Sequence, residues 1–406
     1  MRTRGWRTEL DPTQAQRIYF VRACGVARFA YNWGLEQRKA AYEQDGKTLG
    51  FFGQNKALNA IKREQYPWML EISSAVPLWA LKNLETAYRN FFRRVKAGGG
   101  PPGFPRFKSR ARGLGSFHAS TLRVESSRVK LPVIGWVRLK EADYLPQVGV
   151  KLHRITISER AGRWYISIVG DVEIEQERAT GEMVAVHLGV RALATTLTGN
   201  ELSQHDNPRP LEVALRRLNR AQQALARCQK GSHRRDRAKL RVASLHARVA
   251  DIRRDSHHQV SATITHRHGL ADERPDVIVV EDWDVRGMLK QKHPNGRAAK
   301  RNLSRAISDS GMGELGRMVR YKAEWSGSEL VEGDRFYASS QTCSQCGWVW
   351  ESMTLSHQTF RCEKCGLRMD REENAVRNVM AVAGRSPETK NGRGGEVSPS
   401  SEGTSR

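Results

Sequence analysis

Four cysteines constrain this chain more than any other feature. Cys343 and Cys346, then Cys362 and Cys365, form two C-x2-C knuckles separated by fifteen residues within QTCSQCGWVWESMTLSHQTFRCEKCG. Two tight turns at that separation present four thiolates to one point, the ligand set of a closed tetrahedral zinc ribbon. A pair of disulfides is the competing reading. It needs an oxidising compartment, and the N-terminal MRTRGWRTELDPTQ lacks the apolar segment of a signal peptide. A four-thiolate zinc has no open position for water, so the ribbon is expected to be structural and any chemistry is to be sought elsewhere. Cys24 and Cys228 lie far from the knuckles in helix-like sequence and read as ordinary thiols.

Charge narrows the partner. Lys and Arg number 68 against 43 Asp and Glu over 406 residues, a net charge of +25. An excess of that size repels itself unless a polyanion neutralises it, so nucleic acid is the expected partner. The sequence has no apolar run of about 18 residues, the length a spanning helix needs. A cytoplasmic, nucleoid-associated protein is expected.

Periodicity divides the chain. TRGWRTEL (3–10) predicts a strand, Asp11-Pro12 a helix start, and Gly46 the end of the helix between them. Helical patterns recur in QNKALNAIKREQYPWML and AVPLWALKNLETAYRNFFRRVKAG, the latter with Leu78, Leu81, Leu84, Ala87 and Phe91 on one expected core face. Residues 98–116, GGGPPGFPRFKSRARGLGS, read as a basic loop with Phe104 and Phe107 available for stacking. Arg106, Lys108, Arg110 and Arg112 are its candidates for phosphate contact, with a solvated charge run as the plainer reading. From Ser116 to about Glu177 short alternating runs, with a turn at Gly162, predict an antiparallel sheet or small barrel that the N-terminal strand joins.

A second region begins near Gly181. MVAVHLGVRALATTLTG reads as two strands about a glycine turn, residues 211–260 as two long basic helices with Leu240, Leu245, Val249 and Ile252 facing a core, and PDVIVVEDWDV as a buried strand ending at Glu281 and Asp282. One helix near 308–325, a strand in SELVEGDR and a helix in EENAVRNVM follow, and residues 384–406 have the composition of a disordered tail. Strand-end carboxylates in a basic protein suggest two-metal phosphodiester chemistry, in which an RNase H-like fold brings acids from two strands and a C-terminal helix together. The matching places are His187, Glu281 and Glu372.

On these residues the chain resembles the TnpB family of transposon-encoded RNA-guided nucleases, relatives of the compact type V CRISPR effectors. ARFAYNWGLEQ (28–38), GPPGFPRFKSR (100–110), LPVIGWVRL (131–139), MVAVHLGVRALATTLTGNE (183–201), VIVVEDWDVRGM (277–288), AISDSGMGELGRMVRYKAEWSG (306–327), YASSQTCSQCG and CGLRMDREENAVRNV carry the likeness in family order. The resemblance implies an α+β multidomain protein: a wedge β-barrel (1–12 and 98–180), an inserted helical recognition domain (13–97), a RuvC-like RNase H fold (181–335 and 367–383) and a zinc ribbon (336–366). It implies guide RNA and double-stranded target DNA with a short flanking motif as partners, structural Zn²⁺, and Mg²⁺ at the RuvC site if that site is active.

Two departures matter. The family's first motif, V-G-[IV]-D-L-G-V, has an Asp where VAVHLGV has His187; its third, D-R-D-x-N-A, has an Asp where DREENA has Glu372. Mg²⁺ takes hard oxygen ligands in near-octahedral geometry, which neutral imidazole does not offer, and Glu372 reaches a methylene farther than Asp. Only Glu281 follows the pattern. The expectation is RNA-guided DNA binding without cleavage, with repression of transcription as its effect; the alternatives are an active RNA-guided endonuclease, which a softer metal at His187 would allow, and a guide-independent transposase accessory.

Overall fold

The computed structural model describes residues 2–46, 48–98, 103–173, 178–266, 273–282, 284–290, 296–334, 337–354 and 357–383; the expected tail lies outside them. They fall into two compact units, one within 1–175 and 217–247 and the other within 176–216 and 248–383.

In the first unit, alternation buries Trp6, Thr8 and Leu10 on one face of β1 (Arg2–Asp11). Thr13 then starts α1 (Gln14–Asp45) through a capping box with Gln16, and Gly46 ends it in a left-handed turn. The cap is thus two residues beyond the expected Asp11. α2 (Phe51–Gln65) stops earlier than its pattern suggested, because Pro67 follows Tyr66, and a short 3-10 turn takes residues 67–71. In α3 (Ala75–Ala97) the buried face is Val76, Ala80, Leu81, Leu84 and Tyr88, rotated from the expected stripe, whose Leu78, Ala87 and Phe91 are only half-buried. The rotation follows from α1, where a Cβ on Gly34 would meet Leu81 Cδ2 at 2.6 Å; the glycine lets the two helices close over Leu81 and Leu84.

Beyond the basic loop come β2 (Ser116–Ala119), β3 (Arg123–Glu125), β4 (Arg128–Leu131), β5 (Gly135–Leu139), β6 (Val150–Arg160) and β7 (Arg163–Val172). They form one antiparallel sheet with β1, in the order β2-β6-β7-β1-β5-β4-β3. The N-terminal strand joins as expected, paired with β7 from Arg2 to Leu10, and the turn at Ala161-Gly162 closes the β6–β7 hairpin. Its outer strands β2 and β3 do not pair with each other among the described residues, so of the expected antiparallel sheet or small barrel the ladder is the sheet. Phe20 of α1 anchors the shared core, with ring centroids 5.0 Å from Trp164 and 5.6 Å from Phe117.

In the second unit the two-residue strands β8 (Arg178–Ala179) and, later, β12 (Glu273–Arg274) pair in parallel. The main sheet comprises β9 (Met183–Leu188), β10 (Ala192–Thr198), β11 (Glu201–Asp206), β13 (Val277–Val280) and β14 (Glu329–Glu332), in the order β11-β10-β9-β13-β14. The first three run as an antiparallel meander; β13 adds in parallel to β9, and β14 to β13.

Helices α4 (Pro210–Ala226) and α5 (His233–Thr265) connect the two halves of this sheet. Leu240 and Ile252, expected in a core, are 47% and 38% exposed, while Ala247 and Val249 are buried. Leu240 flanks the Gly162 turn, while Val249 of the same stripe is buried as expected. After α6 (Val285–Lys290) comes a helix that was not expected, α7 (Gly296–Ser310), and then the helix expected near 308–325, which is α8 (Met312–Ser326). Gly311 between them has φ +63°, and a Cβ there would meet His257 at 2.7 Å. The ribbon strands β15 (Thr359–Arg361) and β16 (Arg368–Asp370) precede α9 (Arg371–Ala383). Among the described residues no helix is long and apolar enough to cross a membrane.

Asp309, 4% exposed, ties α4, α5 and α7 together. Its carboxylate accepts from the amides of Leu211 and Glu212 in the first turn of α4, both at 3.0–3.1 Å, and pairs with Arg253 at 2.8 Å. Asp309→Ala strands both amides and a partly buried guanidinium. It should cost about 3 kcal/mol, with Asp309→Asn intermediate, read as a fall in the thermal midpoint by calorimetry.

Candidate functional site

The pleat of the second sheet decides which side chains meet. Val184, Val186 and Leu188 of β9, with Ile278 and Val280 of β13, turn toward a core shared with Leu315 and Val319 of α8. Ala185 and Val279 face the other way, onto Val376 and Val379 of α9. Side chains alternate along a strand, so His187 and Glu281, each two residues farther on, also face α9. Ala185 pairs with Val279 in register, which brings His187 and Glu281 side by side. Glu372 meets them from the first turn of α9.

His187 bridges the two carboxylates. Its Nδ1 lies 2.9 Å from Glu281 Oε2 and its Nε2 3.0 Å from Glu372 Oε2, with side chains 12%, 19% and 3% exposed respectively. The remaining oxygens are also taken. Ser339 Oγ donates to Glu281 Oε1, and Arg371 Nη2 lies 2.6 Å from Glu372 Oε1. Burial opposes charge on His187, yet the field and hydrogen bonds of Glu281 and Glu372 prevail and hold its pKa at about 10. Burial likewise works to raise Glu372, but its bonds to His187 and Arg371 hold its carboxyl down to about 2. The arrangement is an imidazolium clamped between two carboxylates, with an arginine balancing the second.

In front of it opens a cleft of about 360 Å³, lined by His187, Glu281, Asp282, Asp284, Tyr337 and Ser339. Glu372 is not part of its wall and lies too deep to face solvent. Asp370 and Glu373 are turned to other work. Asp370 Oδ1 accepts from the amides of Glu372 and Glu373 as the cap of α9, its Oδ2 lies 3.1 Å from Arg191, and Glu373 pairs with Arg377.

The four knuckle cysteines converge, as their spacing predicts. All four Sγ atoms lie within 4.8 Å of one another, with Cys343 to Cys365 at 3.6 Å and Cys346 to Cys362 at 3.5 Å. Thiolates around a tetrahedral zinc at about 2.3 Å stand roughly 3.8 Å apart, whereas a disulfide needs about 2.05 Å. All are free thiols, so the donor set suits a metal such as zinc. Asn374 and Asn378, one turn apart on α9, bind the ribbon's root: each donates to the carbonyl of Thr342, at 2.7 and 2.6 Å, and Asn378 also to that of Ser339 at 2.7 Å. Asn374 in turn accepts from the Ser344 amide at 3.0 Å.

Sequence reasoning did not find Ser339, Arg371, Asn374 and Asn378. Arg371 stands beside Glu372 in DREENA, and two asparagines spaced i, i+4 in an apolar helix signal a buried polar contact. Nothing local marks Ser339. In the first unit, Arg106, Lys108 and Arg112 line one cleft, and Arg110 is exposed on the turn beside it.

Comparison with known proteins gives the lineage. A protein of Streptomyces pristinaespiralis, named for a proposed RNA-guided DNA endonuclease, is 32% identical over 93% of this chain and 89% of its own length. This chain belongs to the TnpB family. Residues 1–47 match the OrfB/IS605 helix-turn-helix domain, 166–292 the OrfB/IS605 family described as a probable transposase, and 313–379 the Cas12f1-like TNB domain. InsQ of Escherichia coli K12, named in the same terms, is 31% identical over 94% of this TnpB chain and 92% of its own. A more distant relative is the CRISPR-associated endodeoxyribonuclease Cas12f1 of Sulfoacidibacillus thermotolerans, 26% identical over 57% of this chain and 53% of its own.

The clamp gives a pH signature. His187 is raised above its ordinary 6.5, so its contribution is complete below that pH and fades as pH climbs through about 10. Glu372 is lowered, so its contribution is complete above its ordinary 4.5 and is lost as pH falls through about 2. His187→Gln should therefore destabilise by about 3 kcal/mol near pH 6 and by much less near pH 10, measured by denaturant unfolding at both pH values. In the native protein the imidazole should show no NMR titration between pH 5 and 8.

Proposed function

We propose that this TnpB-family chain is an RNA-guided DNA-binding protein that holds its target without cutting it. One observation carries the reading: all four oxygens of Glu281 and Glu372 are engaged by the chain's own donors, with His187 between the two carboxylates. Two-metal phosphodiester cleavage needs open carboxylate oxygens facing the scissile group. Here an imidazolium supplies the positive charge that the acids require, and it cannot polarise a phosphate oxygen as Mg²⁺ does. Placing Mg²⁺ there would mean displacing a cation already paired on both sides.

The sheet order, with a meander of three strands and two parallel strands added at β9, supports reading the second unit as RuvC-like with His187, Glu281 and Glu372 at its vestigial site. In a guided system, base pairing reads sequence while the protein holds backbones and a short flanking motif, tasks that need basic surface and not the acids. The net charge of +25 is in keeping with that. Guide RNA and double-stranded DNA are the partners, and occupancy of a promoter would repress transcription.

The deciding experiment purifies the protein with co-expressed RNA and offers a duplex matching that RNA in Mg²⁺, beside a His187→Asp, Glu372→Asp double variant. Guide-dependent retention without cutting is expected from the native protein, with cutting regained by the variant. Cutting by the native protein overturns the reading.

The four cysteines hold one structural zinc in this proposal. Metal analysis should find one equivalent per chain, and chelation or Cys362→Ser should release it. Phe360, fully buried beside Cys343 and Cys362, would then lose its core, and the emission of Trp348 and Trp350 should shift to the red.

A further inference from the structure

The first unit carries a cleft of about 270 Å³ between α1 and the basic loop that precedes β2. Arg28, Arg106, Lys108 and Arg112 stand around it, and Cys24, Ala27 and Leu114 supply an uncharged lining. None of the four cations forms an ion pair among the described residues. Burial pushes the Cys24 thiol up to about 12, so it adds no negative charge. The carboxylate of Glu159 is felt at Cys24 but accepts the amide of Gly162.

The loop is held in shape before any ligand arrives. Asn32 of α1 grips the backbone of Lys108 from both sides: its amide donates to the Lys108 carbonyl at 2.9 Å, and its carbonyl accepts the Lys108 amide at 2.8 Å. Arg28 reaches across to donate to the Leu114 carbonyl at 3.3 Å. Ser109 caps the turn at residues 110–112 by accepting the Ala111 amide at 3.2 Å. The Lys108 ammonium lies 4.1 Å from the centre of the Tyr31 ring, and burial lowers its pKa. Phe107, 47% exposed, lines the cleft, with the Lys39 ammonium 5.2 Å from the centre of its ring.

Unpaired cations around an uncharged hollow, with an aromatic ring at its edge, match the two halves of a nucleotide: an anionic phosphate and a flat base. The geometry points to a subsite for one nucleotide of a nucleic-acid strand, its phosphate among Arg106, Lys108 and Arg112 and its base against Phe107. A volume near the small end of ligand clefts, about 300 Å³, suits one nucleotide and not a duplex. This deepens the nucleic-acid reading given above, but it concerns neither guide pairing nor the carboxylate site.

The test uses the full chain and short oligouridylate and oligothymidylate, which need no guide and no Mg²⁺, titrated by fluorescence anisotropy over a range of KCl. Arg106→Ala with Arg112→Ala should weaken binding about tenfold and lower the salt slope by about one to two. A control pair on α2, Lys56→Ala with Arg63→Ala, removes the same charge from another exposed face and should change affinity less than twofold. Phe107→Leu, which keeps an apolar side chain but loses the ring, should weaken binding about fivefold with the salt slope unchanged. A loss confined to the uridylate arm assigns the subsite to RNA, one confined to thymidylate assigns it to DNA, and both support it. Equal losses in the cleft and control pairs, or no binding by the native chain, overturn the proposal. Because the probes are guide-free, failure of guide-directed DNA binding would leave this result standing, and the converse also holds.

Discussion

Two carboxylates brought close together, one at the end of a strand and one buried in the first turn of a helix, repel each other unless a positive group stands between them. In this protein it is His187, with one ring nitrogen on Glu281 and the other on Glu372. Three parts of the second unit meet at that bridge. Glu281 closes β13, Glu372 opens α9, and Ser339 at the root of the ribbon completes the shell around Glu281. Loss of either partner would leave an unpaired charge at a buried position, a larger penalty than the pair's net worth. The bridge therefore holds β13, α9 and the root of the ribbon to one another.

The ribbon and the site share the same helix. Asn374 and Asn378 face the carbonyls of Ser339 and Thr342, on the same helix that carries Glu372 in its first turn. Buried amides of this kind have few alternative partners, so they fix the orientation of α9 relative to the ribbon root. The cysteine cluster begins at Cys343, one residue past Thr342, and so a metal there would hold the segment that positions Ser339. Structural chemistry in the ribbon and charge balance at the acids are thus mechanically continuous.

Much of the layout was legible because it follows from local pattern. The knuckles announced a four-thiolate cluster through spacing alone, and the alternation in β1, β6 and β7 announced an antiparallel sheet. Errors arose where a side chain's surroundings, not its neighbours in sequence, decide its fate. Leu240 and Ile252 look like core residues in a helical stripe, but they stay 47% and 38% exposed. The stripe on α3 was rotated by the close approach that Gly34 allows, and α7 was not expected ahead of α8.

At the site, the chain by itself determined which residues are present: His187 and Glu372 where the family pattern has Asp, with Glu281 in place. It also determined that His187 and Glu281 would share faces with Ala185 and Val279, because strand periodicity is two. Tertiary structure decided the rest. Only the parallel register of β9 and β13 brings His187 against Glu281, only the docking of α9 buries Glu372 against the other ring nitrogen, and only the ribbon's return brings Ser339 to the remaining oxygen. Each contact joins residues dozens of positions apart, and the charge state of the imidazole depends on their burial together, which no local pattern encodes.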